Sequence, residues 1–381
     1  MSPKNSKDPK NANHFLAAKR VVIKIGSTLL VDETRNEICR PWLDAFIEDV
    51  VELHKKGKEV VLVSSGAVAL GRSVLGLSQQ ILRLDEKQAA AACGQARLVH
   101  AYQEALGKHH VNAAQVLLTP ADTEERQAYL NVRATLRNLL AFGVIPVINE
   151  NDTVATAELR YGDNDRLAAR VAAMIEADCL VLLSDIDGLY TADPHVDPAV
   201  QFIPEVHDLT AAIMAMAGQS HSGFGSGGMV TKLEAARIAM NAGCAMVITR
   251  GDVLHPVKPL LGESRCTWFI PNCSPVAARK KWIAGSLNPR GSLTIDAGAA
   301  RALRQNKSLL AAGVTAVTGN FERGDPVRVL THDGVEIAHG LIAYDGNEAR
   351  KIMGRRSDVF ESLLGYQGRD EIIHRDDLAL V

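Results

Sequence analysis

Residues 21–28 read Val-Val-Ile-Lys-Ile-Gly-Ser-Thr, an apolar run broken by one lysine and closed by a glycine and two hydroxyls. A strand that is apolar throughout, rather than alternating, is suited to burial on both faces, the habit of parallel sheets. The same form recurs outward along the chain in EVVLVS (59–64), AAQVLL (113–118), VIPVIN (144–149), CLVLLS (179–184) and AMVIT (245–249). Amphipathic stretches lie between these runs. One is RPWLDAFIEDVVELHKKG (40–57), whose apolar residues recur at helical spacing and which stops at Gly57. Strands alternating with helices predict an α/β fold with a doubly wound, mainly parallel sheet between two helical layers. In such a sheet ligands bind beyond the carboxyl ends of the strands, so chemistry is sought just after each run.

The pattern changes after about residue 275. NPRGSLTIDAGAARALRQNKSLL (288–310) holds a short strand and a helix. VTAVTG, DPVRVL, VEIAHGLIAY and a late LLGYQG follow as short runs between Gly and Asp turns, which predicts a small, mostly β domain. The expected division is a polar extension (1–18), a main domain (19–275), a linker (276–287) and the small domain (288–381).

Composition removes other classes. The chain has 381 residues, 47% hydrophobic and 23% charged, so disorder and low complexity are excluded for its bulk. Its 42 Lys and Arg against 44 Asp and Glu leave a formal charge of -2, not the basic balance of a protein built to hold polyphosphate. Residues 276–381 carry 15 Lys and Arg against 13 Asp and Glu, a net of +2 with few aromatics, so no nucleic-acid partner is expected. The six cysteines include no C-x-x-C pair and read as reduced thiols, with Cys93, Cys179 and Cys244 in apolar surroundings. The first twenty residues lack an apolar h-region, and no run of about 18 apolar residues exists. The expectation is a cytoplasmic protein with no membrane partner.

The residues after each strand divide between functional and plain structural readings. Lys24 inside an apolar strand is costly unless its ammonium reaches solvent or an anion, so it either contacts phosphate or snorkels. Ser64-Ser65-Gly66-Ala67 opens a helix with bare N–H groups and hydroxyls, an anion site or simply an N-cap. Asn149-Glu150-Asn151-Asp152 and Tyr161-Gly162-Asp163-Asn164-Asp165-Arg166 are two amide- and acid-rich loops within twenty residues. They suit an α-ammonium and α-carboxylate, or the positioning of magnesium and lysines, although a lone D-N-D is usually a turn. Ser184-Asp185 precedes Asp187-Gly188-Leu189-Tyr190, a weak candidate for a nucleotide cradle. The most informative stretch is Ser222-Gly223-Phe224-Gly225-Ser226-Gly227-Gly228-Met229-Val230-Thr231-Lys232, ahead of the helix LEAARIAMNAG. Four glycines in six residues, then Thr-Lys at a helix start, make a phosphate cradle capped by a cation. The G-x-x-x-x-G-K-[ST] frame is absent, so this is not a Walker A loop.

Taken together, VIKIGS (22–27), Ser65-Gly66-Ala67, PVINEND (146–152), GDND (162–165), GLYTADP (188–194) and GGMVTK (227–232) resemble the amino-acid kinase family, in this order and separation. Within it they are similar to the branch that phosphorylates the side-chain carboxylate of glutamate, the first step of proline synthesis. The resemblance runs from Val21 onward, and the tail, with Val317-Thr318-Gly319-Asn320-Phe321 and Ile337-Ala338-His339-Gly340, looks like a PUA domain. Ser64, Ser184 and Ser226 stand where threonine is frequent in the family, each keeping a hydroxyl. The polar extension before Lys19 is longer than usual.

The resemblance implies ATP as co-substrate with Mg²⁺, L-glutamate as acceptor, proline as inhibitor, and a homo-oligomer, dimer or tetramer. It places glutamate on Ser65, Asp152 and Asn164. It places ATP on Lys24, Ser184, Asp185, Ser226, Gly227, Gly228, Met229, Val230, Thr231 and Lys232. Glutamate's carboxylate, with a pKa of about 4.3, is already ionised near pH 7, so no general base is needed. Catalysis then rests on positioning and charge neutralisation, with Lys24 and Lys232 on the transferred group and Asp165 holding both ammonium groups. A dedicated metal cage is not expected, because Mg²⁺ on ATP keeps much of its water. The rival readings are a sibling kinase for acetylglutamate, aspartate or a nucleotide, and a PUA-type RNA-binding protein.

Overall fold

The structure, a computed structural model, describes residues 11–32, 35, 37–77, 81–154, 164–194, 196, 197, 199–217, 228–262, 264–285 and 289–381. It divides into two compact units, Met1–Pro275 and Val276–Val381.

The first unit is built on an eight-stranded sheet. Its strands are β1 (Arg20–Ile25), β2 (Glu59–Ser64), β3 (Ala113–Leu118), β4 (Ile145–Glu150), β5 (Cys179–Ser184), β6 (Glu205–Val206), β7 (Ala245–Arg250) and β8 (Cys266–Phe269). Their order across the sheet is β6-β8-β7-β5-β1-β2-β4-β3. From β7 to β3 every pairing is parallel, whereas β8 runs antiparallel to β7. All six apolar runs of the sequence are strands of this sheet. β6 and β8 are too short and mixed to announce themselves. Burial on both faces holds for the centre: β1, β2, β4, β5 and β7 are almost wholly buried. It fails for β3, mostly half-exposed because an edge strand has one neighbour and less cover.

Helices cover both faces. α1 (Arg40–Lys55), α2 (Ala67–Val74) and α3 (Leu84–Gly107) supply one layer, and α4 (Arg126–Ala141), α5 (Asn164–Met174) and α6 (Met229–Asn241) the other. α1 ends as its sequence implies, with Gly57 at φ 79° just beyond it. The core divides accordingly. Val21, Ile23 and Ile25 pack with Phe46, Val50 and Tyr102, while Val22 packs with Leu167, Val171 and Leu233.

Side chains alternate along a strand, so Lys24 falls on the Val22 side, the side covered by α5 and α6. α2 and α3 are pressed together through two glycines. A Cβ on Gly71 would stand 1.7 Å from the Ala90 carbonyl oxygen, and one on Gly94 would stand 1.8 Å from that of Ala67.

The second unit has a five-stranded sheet of β9 (Gly291–Ile295), β10 (Val314–Gly319), β11 (Pro326–Thr331), β12 (Glu336–Leu341) and β13 (Leu378–Leu380), in the order β10-β9-β11-β12-β13. Only β9 and β11 run parallel. Leu293, Val327, Ile352 and Phe360 sit in its core, and Arg279 bonds Asp377 at 2.6 Å with both side chains buried. The late run LLGYQG is not a strand. Leu363 and Leu364 end the short helix Phe360–Leu364, and Gly365 turns the chain at φ 82°. The closing strands are Glu371–Ile373 and β13, which lie later.

Candidate active site

One strand and two helices bring the charged residues together. Lys24 sits near the carboxyl end of β1, Asp165 is the second residue of α5, and Lys232 lies in the first turns of α6. Lys24 Nζ stands 2.5 Å from Asp165 Oδ1, and Lys232 Nζ stands 3.1 Å from Asp165 Oδ2. Asp165 is fully buried, and the lysines are 7% and 8% exposed. Burial alone would raise the Asp165 pKa, but the two ammonium groups, by charge and by hydrogen bonds, hold it below the usual carboxylate range. Among the described residues one carboxylate faces two ammonium groups at the strand ends, in a low-dielectric setting that strengthens the pull of each cation on an anion. Lys232 is not in a loop. α6 begins at Met229, earlier than its periodicity implies, and Thr231 Oγ1 donates to the Gly228 carbonyl.

A chain of amides lies alongside. Asn164 Nδ2 is 2.8 Å from each of the Ser64 carbonyl oxygen, Ser65 Oγ and Asn149 Oδ1. Asn149 Oδ1 also accepts from the Glu150 N–H at 2.8 Å, and Asn149 Nδ2 donates to Gln95 Oε1 at 2.9 Å. Asn164 Oδ1 is buried and has no hydrogen-bond partner among the described residues. Ser64 Oγ bonds the Tyr102 hydroxyl at 3.0 Å, and burial pushes the Tyr102 pKa well up, so the phenol stays neutral. Gly66, at φ 108°, makes the turn from β2 into α2, a conformation that favours glycine.

Beside the amide chain, Gln95, Gln115, Glu150, Asn151 and Asp152 help to line a cavity of about 320 Å³. Ser184 and Asp185 stand at the carboxyl end of β5, whose Leu182 and Leu183 pair with Lys24 and Ile25. Ser184 Oγ donates to Asp185 Oδ1 at 2.9 Å, and the Ser184 carbonyl accepts from the Gly251 N–H at 2.6 Å.

The structure thus joins Lys24, Asp165 and Lys232 in one cluster and Ser65 and Asn164 in another. It sets Asp152 on the cavity and Ser184 and Asp185 one strand over. Ser226 and Gly227, and the loop residues 161–163, lie outside the described residues. Sequence reading passed over Gln95 and Tyr102. Gln95 carried one signal, an amide within the small-residue run AAAACGQA, and Tyr102 carried none.

A family model described as the amino acid kinase family matches residues 19–250, and one described as the PUA domain matches residues 291–364. The chain belongs to the amino acid kinase family. Among its curated relatives are several that carry the name glutamate 5-kinase. That of Paramagnetospirillum magneticum is 59% identical over 364 residues, covering 96% of this chain and 98% of the relative. Those of Gluconobacter oxydans and Agrobacterium fabrum are each 55% identical, covering 98% and 95% of this chain and 98% and 92% of those relatives. Membership agrees with the mainly parallel sheet, and the C-terminal match falls on the separate β sheet of the second unit. No described helix is long and apolar enough to cross a membrane. Among the described residues no group of three His, Cys, Asp or Glu side chains is placed to hold a metal ion.

Proposed function

We propose that this amino acid kinase transfers the γ-phosphoryl group of ATP to the side-chain carboxylate of L-glutamate, giving L-glutamyl 5-phosphate and ADP. The observation that carries the reading is the pair of buried ammonium groups held on Asp165 at the carboxyl ends of the central strands. Such a pair suits a reaction in which two anions must approach and no proton has to be removed. A glutamate carboxylate oxygen bonds to the γ-phosphorus as the bond from that phosphorus to the bridging oxygen breaks, and the electron pair leaves with ADP. Lys24 and Lys232 neutralise the phosphoryl oxygens, and Asp165 keeps the two amines at the spacing that this requires.

Ser65, Asp152 and Asn164 hold glutamate in this reading. Ser184, Asp185 and residues 226–232 hold the nucleotide. Both oxygens of Asp165 already face ammonium groups, so Mg²⁺ fits as a passenger on the triphosphate, with water completing its shell. When bound there it shields phosphate charge. The relatives' shared name supports glutamate as acceptor and, through it, entry into proline synthesis with proline as feedback inhibitor. A cytoplasmic homo-oligomer, with the kinase domain over 19–275, a linker over 276–287 and the PUA domain over 288–381, completes the proposal.

The test is ATP- and Mg²⁺-dependent formation of glutamyl hydroxamate, run beside N-acetylglutamate, aspartate and UMP and repeated with proline. Turnover with glutamate and suppression by proline are expected. No hydroxamate above background overturns the reading.

A further inference from the structure

The amide chain beside the lysine cluster has a direction, and two backbone groups impose it. The Glu150 N–H can only donate, and it donates to Asn149 Oδ1, so Asn149 Nδ2 must face the other way, toward Gln95. The Ser64 carbonyl can only accept, and it accepts from Asn164 Nδ2, so Asn164 Oδ1 faces away with no partner among the described residues. Rotating the Asn164 amide would set like groups against each other at two contacts, and rotating that of Asn149 at three. At one end of the chain is therefore a buried acceptor in want of a donor. At the other end, Gln95 Oε1 is taken by Asn149, which leaves the Nε2 amino group as the free end of its amide.

Gln95 also lines the cavity that holds Asp152 and Glu150. An α-amino acid presents one donor group, its ammonium, and one acceptor group, its carboxylate. The unpartnered Asn164 Oδ1 and the acidic side chains suit the ammonium, and the Gln95 amino group suits the carboxylate. We infer that Gln95 is a specificity-determining residue, donating from Nε2 to the α-carboxylate of the acceptor amino acid in an orientation dictated by Asn149. Its position is well supported. Gln95 follows Gly94, whose Cα is pressed against α2 so closely that a Cβ would meet the Ala67 carbonyl at 1.8 Å. The segment that carries Gln95 is thus tied to the helix that begins after Ser65 and Gly66.

The inference rests on the proposed glutamate reaction and is tested through its acceptor preference. Gln95→Glu keeps an oxygen for Asn149 and replaces the amino group by a second oxygen, which repels a carboxylate. The expected result is a rise of tenfold or more in KM for glutamate, with KM for ATP and the thermal midpoint close to the parent values. The preference for glutamate over its α-amide, isoglutamine, should fall by a similar factor, because the α-amide brings a donor to the new carboxylate. Gln95→Met, which removes the donor without adding charge, should raise KM for glutamate several-fold with little change in the KM for ATP. A parent enzyme that makes no hydroxamate defeats the reaction itself. An active parent whose Gln95→Glu and Gln95→Met variants keep the parent KM for glutamate and the parent preference over isoglutamine overturns the role of Gln95 alone. Losses shared equally by ATP and glutamate, or confined to stability, overturn it as well.

Discussion

Lys24 and Lys232 hold opposite oxygens of one carboxylate, that of Asp165, at 2.5 and 3.1 Å. One lysine comes from the central strand β1 and the other from the helix α6. Their meeting follows from the alternation that puts Lys24 on the face covered by α5 and α6. Each ammonium is worth most where charge builds on the transferred group. Lys24→Ala and Lys232→Ala are expected to lower kcat by about 10²–10³-fold, the scale of losing one preorganised charge-stabilising group, and to change KM for glutamate much less. Steady-state kinetics checks this, and near-parent turnover in either variant removes that residue from the mechanism.

Asp165→Asn leaves two buried ammonium groups without their anion. Removing one partner of a buried ion pair costs about 3–5 kcal/mol, so a similar loss of unfolding free energy is expected, together with loss of turnover. Urea denaturation of the variant beside the parent measures it.

The depressed pKa of Asp165 sets the sign of a pH effect. A carboxylate lowered by folding contributes stability throughout the range above its ordinary value of 3.8, lost only as pH falls through its lower folded value. Acidification to about pH 4 therefore leaves the cluster ionised, and free glutamate, at about 4.3, protonates first. The acid limb of kcat/KM is expected near that value, with no base titrating between pH 6 and 7. A limb centred near neutrality, measured where the fold is intact, contradicts catalysis without a general base.

Gly71→Ala and Gly94→Ala each drive a methyl group into a backbone carbonyl of the facing helix. Neither helix can yield without moving the other, so losses of about 1–3 kcal/mol are expected, the range for overpacking. Because α2 starts immediately after Ser65 and Gly66, KM for glutamate should rise in whatever fraction remains folded. Chemical denaturation and glutamate titration are the two measurements.

The thiols should separate by burial. Cys273 is exposed, Cys39 and Cys93 are half-buried, and Cys179, Cys244 and Cys266 are buried, with burial pushing each of these three pKa values up. A thiol reagent should label Cys273 first in the native protein and reach the three buried thiols only on unfolding. Peptide mapping after brief labelling reads this out.

Most of the architecture was legible in the residues. Long apolar runs separated by amphipathic stretches can satisfy their backbone and bury both faces in essentially one way, so the central strands and the helices between them followed from local pattern. Lys24 stood out because a charge inside such a run is costly without a purpose, and Asp165 because it lies in one of two amide- and acid-rich loops close together in the chain. The faint strands β6 and β8, the exposure of β3 at the edge and the helical LLGYQG segment were not legible, because length, edge position and competition between short propensities are resolved only by neighbours. The same holds for Gln95 and Tyr102. Their meaning lies in hydrogen bonds to Asn149 and Ser64, residues far away in the chain. Local periodicity determined which segments become strands and helices and which residues of each share a side. Tertiary packing decided which distant polar groups share one buried volume, and so which way each amide must point, because that direction depends on backbone donors and acceptors contributed by other strands.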